Sequence, residues 1–543
     1  MTDDLLLRRR DLAGLTVALV ALGALQPAQA AAPSGQVVDA FTQEAVNFNP
    51  LLYINTGVET AVEFTVFDSL WQIDPNGNFL PNLATEIPTQ SNGGVSADGL
   101  VWTIKLRPGV TWHDGSAFSA ADVIFTLETL LNPKVAVRSR NGHDHVAKYE
   151  ALDANTIRIT LKDHYAPYLV SWQKTSIVPK HILEHEADIN TARFNINPVG
   201  TGPYIFKNRV AGSHIEFTPN PKYHRGAPKL TSLIQKYVPD QQTLYAQYQT
   251  GEADIYDVIQ GIPPLLYSRA KSLPGTTTQL TAQPFVEFIY FNCGKPQFSD
   301  KRVRQALYMA VDKKSWADAV YYGLPSPTLS WLPPNHWAYN GNLKDPGFDP
   351  KKAAALLDAV GWVVGGDGVR AKDGVALSFT MSTTAGNKSR EQAQQLVQQN
   401  WKKIGVAMTI KNMPASVVWG DYTVKSQFDT LMVAWDPLLY PDPDYTDRIH
   451  SKLIPAKYGT GSNYVQYENP EVDALTDKAV ATVGQDERRA IYHRLQEILL
   501  EDLPFAPIFA YEVPCGIHDR VKNYAANPYT ACNSWNNGEW QAT

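Results

Sequence analysis

Trp102, Ile104 and Leu106 alternate with polar or solvent-tolerant residues and stop at Pro108-Gly109. A period of two predicts a strand with one buried face, ended by a turn. Ser119 stands three positions before Asp122, and Val123, Ile124 and Leu127 follow. The Ser119 hydroxyl can accept from a first-turn amide, and Asp122 sits at the positive end of the helix dipole, so a capped helix comes next. The pattern recurs. Asp300 precedes a helical stripe of Val303, Ala306, Leu307, Ala310 and Val311. Asp349-Pro350 opens a helix, with proline where its missing amide costs nothing, and Gly361 closes it. Ser389 and Gln392 form a capping box ahead of Ala393, Leu396, Val397 and Trp401, and Gly405 ends that helix. Val406, Met408 and Ile410 then predict a strand, and the unbroken apolar run Leu431 to Ala434 predicts one buried on both faces.

Alternating helices and buried strands predict an α/β architecture with largely parallel sheets covered by helices. A chain of 543 residues is too long for one hydrophobic core, so two or three units are expected. The sequence has no solenoid repeat and no low-complexity linker, which favours structured crossovers that bend as a hinge.

The first thirty residues have three zones: basic Arg8, Arg9 and Arg10, apolar Ala13 to Leu25, and small Ala28-Gln29-Ala30. They read as a signal peptide cleaved near Ala30, which predicts a periplasmic protein. The apolar zone is shorter than the roughly 20 residues that span a bilayer core. Arg9-Arg10-Asp11-Leu12 also resembles a twin-arginine signal, so general secretory and twin-arginine export both stay open. The remaining composition, 44% hydrophobic and 19% charged residues overall, predicts a soluble mature protein. A net charge of −6 without a basic stripe argues against nucleic acid as a partner. Of three cysteines, Cys515 and Cys532 are the couple that could form a disulfide, while Cys293, after the apolar stretch Phe288 to Phe291, reads as a buried thiol.

Enzyme signals are sparse. His181-Ile182-Leu183-Glu184-His185 has the H-x-x-E-H spacing of some zinc metallopeptidases, although after Val178-Pro179-Lys180 it reads more simply as an ordinary helix start. His143, Asp144, His145 and His450 could ligate nickel, against the plainer reading of Asn141 to Asp144 as a solvated turn. No serine, histidine and aspartate signature, phosphate loop or cofactor motif stands out, so neither catalysis nor a cofactor is expected.

Several segments together resemble the family 5 bacterial extracellular solute-binding proteins, which include dipeptide, oligopeptide and nickel binders. They are Val66 to Trp71, Leu100 to Gly115, Pro198 to Tyr204, Asp300 to Leu307, and Asp502 through Tyr511, in family order. Most of these residues also have structural readings: Gly200, Gly202, Pro203 and Asp114-Gly115 as turns, Arg107 and Arg304 as surface or interlobe ion-pair partners. The resemblance implies a two-lobed periplasmic binding protein fold with an inserted subdomain and a hinge between the lobes. Lobe I would comprise 31–72, 201–284 and 502–543, the subdomain 73–200, and lobe II 285–501. It also implies a monomer that closes on a small-molecule ligand and delivers it to ABC permease and ATPase subunits, touching the membrane only through the permease.

By the same resemblance, ligand contacts come from Asn55, Thr56 and Gly57 and from the turn holding Trp435, Asp436, Leu438 and Tyr440. A loop at the carboxyl end of a parallel strand suits that role physically, and Trp435 and Tyr440 offer rigid apolar faces. Peptide binders of this group hold the ligand's ammonium with an aspartate where this chain has Leu438, and dipeptide binders hold its carboxylate with an arginine that aligns near Thr384. A free dipeptide clamped by its charged ends is thereby disfavoured, unless Asp436 or an arginine placed elsewhere substitutes. Longer or blocked peptides, sugars, opines, aromatic acids and nickel remain as ligand classes.

Overall fold

The computed structural model describes residues 35–52, 58–140, 142–256, 261–435, 442–530 and 532–543. The expected signal peptide lies outside them. Eleven strands form the main sheet: β1 (Gln36–Phe41), β2 (Tyr204–Val210), β3 (His214–Pro219), β4 (Ser232–Tyr237), β5 (Ile255–Tyr256), β6 (Thr276–Phe291), β7 (Ser326–Pro327), β8 (Ser378–Ser382), β9 (Ala407–Ile410), β10 (Thr430–Trp435) and β11 (Phe505–His518). Their order is β9-β8-β10-β6-β11-β5-β1-β4-β3-β2, with β7 added to β11. The sheet is mixed, which corrects the largely parallel arrangement expected. β1 runs parallel to β4 and β5, and β8 parallel to β9 and β10, but the central strands β6 and β11 are antiparallel to each other and to their outer neighbours.

β6 and β11 tie the two ends of the sheet together. Thr276 to Ala282 of β6 pair with His518 to Glu512 of β11, beside β5; Val286 to Tyr290 pair with Ala510 to Phe505, beside β10. The register breaks between Ala282 and Val286. Pro284, which has no N–H to donate, stands inside that break.

Beyond the break, alternation along β6 feeds two cores. Ile289 and Phe291 pack with Trp316, Phe379, Trp401 and Ile508 on one face, whereas Phe288 and Tyr290 pack with Trp331, Leu431, Val433 and Phe505 on the other. At the opposite end, Val37, Phe41, Phe217 and Leu233 pack around helix α1 (Val58–Val66). A separate three-stranded antiparallel sheet, Val101–Lys105, Thr156–Leu161 and Val146–Asp153, packs with helix α2 (Ala120–Leu131) around Trp71, Trp102 and Trp112.

Two of the sequence blocks, Val66 to Trp71 and Pro198 to Tyr204, meet at one joint. A Cβ on Gly200 would lie 1.8 Å from the Val66 carbonyl oxygen, and one on Gly202 would lie 2.6 Å from the Val66 carbonyl carbon, so only glycine lets these chains touch. Buried Asp68 accepts from Asn82 Nδ2 at 2.9 Å, Thr201 Oγ1 at 2.9 Å and the Tyr223 hydroxyl at 3.1 Å.

The caps follow the sequence with one exception. Ser119 caps α2 as expected and closes a box with Asp122, and Asp300 caps α3 (Lys301–Met309). Helix α4 (Lys388–Lys402), however, is capped by Asn387, whose side chain accepts from the Arg390 amide; Ser389 and Gln392 are already inside the helix. Arg304 also departs from its expected surface or ion-pair role: it is buried and donates through Nε to the Asp502 and Leu503 carbonyls, capping the C-terminal end of α5 (Gln485–Asp502). Arg107 donates to the Asn82 carbonyl at 3.0 Å.

Candidate functional site

The broken register of β6 and the facing stretch Tyr511 to Val513 of β11 border a cavity of about 780 Å³. Gln241 and Gly261 to Leu265 close it on the β5 side; Tyr321, Tyr322, Ala434 and the start of α4, Gly386 to Arg390, close it on the β10 side. That volume falls in the range of roughly 300–1,000 Å³ usual for small-ligand sites. Tyr322 is 56% exposed at the rim and holds a left-handed φ of 55°, a conformation a side chain adopts only under strain.

One charged residue interrupts the apolar strand beneath the cavity. Glu287 is fully buried, and Arg390 donates to both its oxygens, Nε to Oε1 at 2.8 Å and Nη2 to Oε2 at 2.9 Å. The Tyr511 hydroxyl donates to Glu287 Oε2 at 2.6 Å and lies 3.1 Å from the Tyr321 hydroxyl. A cation in the first turn of a helix opposes the helix dipole, so Arg390 needs this partner. Burial works against the arginine's charge, but the charge and hydrogen bonds of Glu287 outweigh it and hold the guanidinium above its ordinary pKa. Burial first, and Glu287 second, push the Tyr511 hydroxyl well above the usual tyrosine range. At the mouth, Lys388 is paired with Glu391 at 2.9 Å.

Further along the chain from β10, Asp442 is held by α5. Arg488 of α5 forms two bonds with buried Asp442, one of them Nη2 to Oδ1 at 2.6 Å, and a third with the Tyr492 hydroxyl at 2.9 Å. Trp331 stacks on Tyr445 with centroids 5.4 Å apart and donates to the Pro443 carbonyl. Next to the other candidate loop, α1 begins with Val58 and Glu59; the Glu59 side chain is buried, and burial pushes its carboxyl up to about 7.

Of the ligand contacts expected, Asn55, Thr56, Gly57, Asp436, Leu438 and Tyr440 lie outside the described residues. Trp435 ends β10, where its backbone pairs with Val286, and its neighbour Ala434 lines the cavity. Thr384 forms a bridge with Met413, and its carbonyl accepts from the amide of Asn387 on the cavity wall. Sequence reading missed Glu287, Arg390 and Glu512. A lone carboxylate inside Phe285-Val286-Glu287-Phe288-Ile289 was the available signal, since a buried charge demands a partner.

The histidines have other duties. His181 bonds to Asp114 at 2.7 Å, and the helix carrying it is only Lys180–Leu183, too short to present both histidines on one helical face. His143 is fully buried against Trp172 and bonds to Thr175, which corrects the solvated turn expected there, while His145 stacks on Tyr165 and pairs with Asp163. His450 lies against Asp473 and Asp477, far along the chain from both. Among the described residues no three His, Cys, Asp or Glu side chains converge as a metal site. Burial raises the Cys293 thiol to about 11, the opposite of what a nucleophile needs.

Residues 78–452 match the family described as bacterial extracellular solute-binding proteins, family 5 Middle. The chain belongs to this family. As a family 5 protein it is 28% identical over 506 residues to the oligopeptide-binding protein AppA of Bacillus subtilis, covering 91% of this chain and 89% of that one. The structure of AppA in complex with a nonapeptide matches it with a TM-score of 0.75 at 27% identity, over 94% of this chain and 99% of AppA. NikZ from Campylobacter jejuni, in complex with Ni(L-His), matches with a TM-score of 0.76 at 29% identity, over 93% and 99%. The two-lobed periplasmic binding protein fold expected of this family 5 chain is the one it has. No helix among the described residues is long and apolar enough to cross a membrane.

Proposed function

We propose that this family 5 solute-binding protein captures a peptide or peptide-like small organic solute by lobe closure and delivers it to the permease of an ABC importer. The observation that carries the reading is the cavity at the register break of β6 and β11, walled from both sides of the crossing strands. A ligand seated there touches both halves and stabilises the closed form by the difference in its contacts with the two forms. The oligopeptide-binding relative supports a peptide as ligand.

The lobe division we propose starts from 31–72, 201–284 and 502–543 as the first lobe, 73–200 as the insert, and 285–501 as the second lobe. Phe505 to Ala510 pack with the second lobe's cores, so we place the return crossing at the register break, near Glu512, instead of at residue 502. Asn55, Thr56, Gly57, Thr384, Trp435, Asp436, Leu438 and Tyr440 remain the proposed contacts, joined by the cavity lining. Export by the N-terminal segment places the monomer in the periplasm, and the permease and ATPase subunits in and behind the membrane supply the transport work. Performing no chemistry itself, the protein needs only to bind and to release.

Calorimetric titration of ligand-free protein with peptides of two to nine residues tests this. Saturable binding is expected, weakened by Trp435→Ala or Asp436→Ala; binding that both variants leave unchanged places the ligand elsewhere.

A further inference from the structure

The charges around the cavity do not cancel. Arg390 is consumed by Glu287, and Lys388 is 82% exposed and paired with Glu391. Glu512, opposite Ala282 at the crossing, lines the same cavity, half-buried, and accepts a hydrogen bond from Ser326 Oγ. No Lys, Arg or His among the described residues lies within 4.0 Å of its carboxylate. By sequence, residues 53–57, 141, 257–260, 436–441 and 531 contain no Lys, Arg or His.

A carboxylate in a cleft that closes loses water, and desolvating one ion without a partner costs several kcal/mol. A cation on the ligand removes that penalty. Tyr321, Tyr322 and Tyr511 line the same cavity, and an aromatic ring offers a cation a further favourable contact. A ligand carboxylate would find Arg390 already engaged at both of Glu287's oxygens.

Resting on the reading of this cavity as the solute site, we infer that the protein selects ligands carrying a protonated amine or guanidinium, with Glu512 as its counter-ion.

The test is calorimetric titration of refolded, ligand-free protein and its Glu512→Gln variant, which keeps an acceptor for Ser326. The probes are tetrapeptides blocked at both ends with one lysine or one leucine at each position, the same peptides with free termini, and the non-peptide cations spermidine and arginine amide. At least one cationic probe is expected to bind about tenfold or more tighter than its neutral counterpart, a preference that Glu512→Gln reduces to about threefold or less without weakening the neutral probe. Equal binding of neutral and cationic peptides, a preference that survives Glu512→Gln, or failure of every cation to bind at millimolar concentration overturns the inference. If spermidine or arginine amide binds and no peptide does, the peptide reading fails while the Glu512→Gln comparison still decides this one.

Discussion

Glu287 and Arg390 face each other across 103 residues of chain, joined by two parallel hydrogen bonds of 2.8 and 2.9 Å beneath the cavity. The pair fixes the start of α4 against β6, so the wall of the cavity is attached to the part of that strand paired with β10.

Removing one partner leaves the other buried and alone. Arg390→Ala is expected to lower unfolding stability by about 3–5 kcal/mol. Replacing both, as Glu287→Gln with Arg390→Met, is expected to recover at least half of that loss. Urea unfolding of the single and the double variant checks it; equal losses in the two would remove the pair's role.

Arg488 anchors the end of the segment that follows Trp435 through Asp442 and Tyr492. Arg488→Met should destabilise by about 3–5 kcal/mol because Asp442 stays buried without its cation. It should also weaken solute binding measured on the folded fraction, since the proposed contacts Asp436 to Tyr440 directly precede Asp442 in the chain. Unchanged affinity in well-folded Arg488→Met would detach this anchor from the site.

Glu59 gives a pH signature. Its folded pKa of about 7 lies above the ordinary 4.5, so the stability it contributes is present below 4.5 and is lost as pH rises through 7. Glu59→Gln has no such charge to bury. Its stability relative to the parent should improve between pH 4 and pH 8 by about 3 kcal/mol, at ~1.4 kcal/mol per unit of pKa shift. Thermal melts across that interval showing parallel curves for both proteins would contradict the assignment.

Gly200→Ala tests the joint between the sequence blocks. The added methyl would fall 1.8 Å from the Val66 carbonyl oxygen, a contact that backbone must move to relieve. We expect a loss above about 4 kcal/mol, in the class of severe overpacking, read as poor soluble yield and rapid proteolysis. Near-parental melting would show that the joint yields easily.

Local features were legible in the sequence because their causes are local. Ser119, Asp300 and Asp349 cap the helices they precede, and Leu431 to Ala434 form the interior strand their apolar run implies. Asn387 displaced Ser389 because two capping side chains stand two residues apart, and the earlier one reaches the Arg390 amide at 3.1 Å. Strand direction and the Glu287 partner were not legible: both depend on contacts between residues far apart in the chain, which composition and spacing do not carry. Likewise, Arg304 reads as a surface cation by type, yet its value lies in the carbonyls at the end of α5.

The most direct test of the account is native mass spectrometry of protein purified gently from the cells that export it, followed by release and sequencing of whatever adds to its mass. The prediction is one solute per chain, peptide or peptide-like, lost on unfolding. A protein that carries no solute and acquires none from a peptide mixture would contradict the central claim.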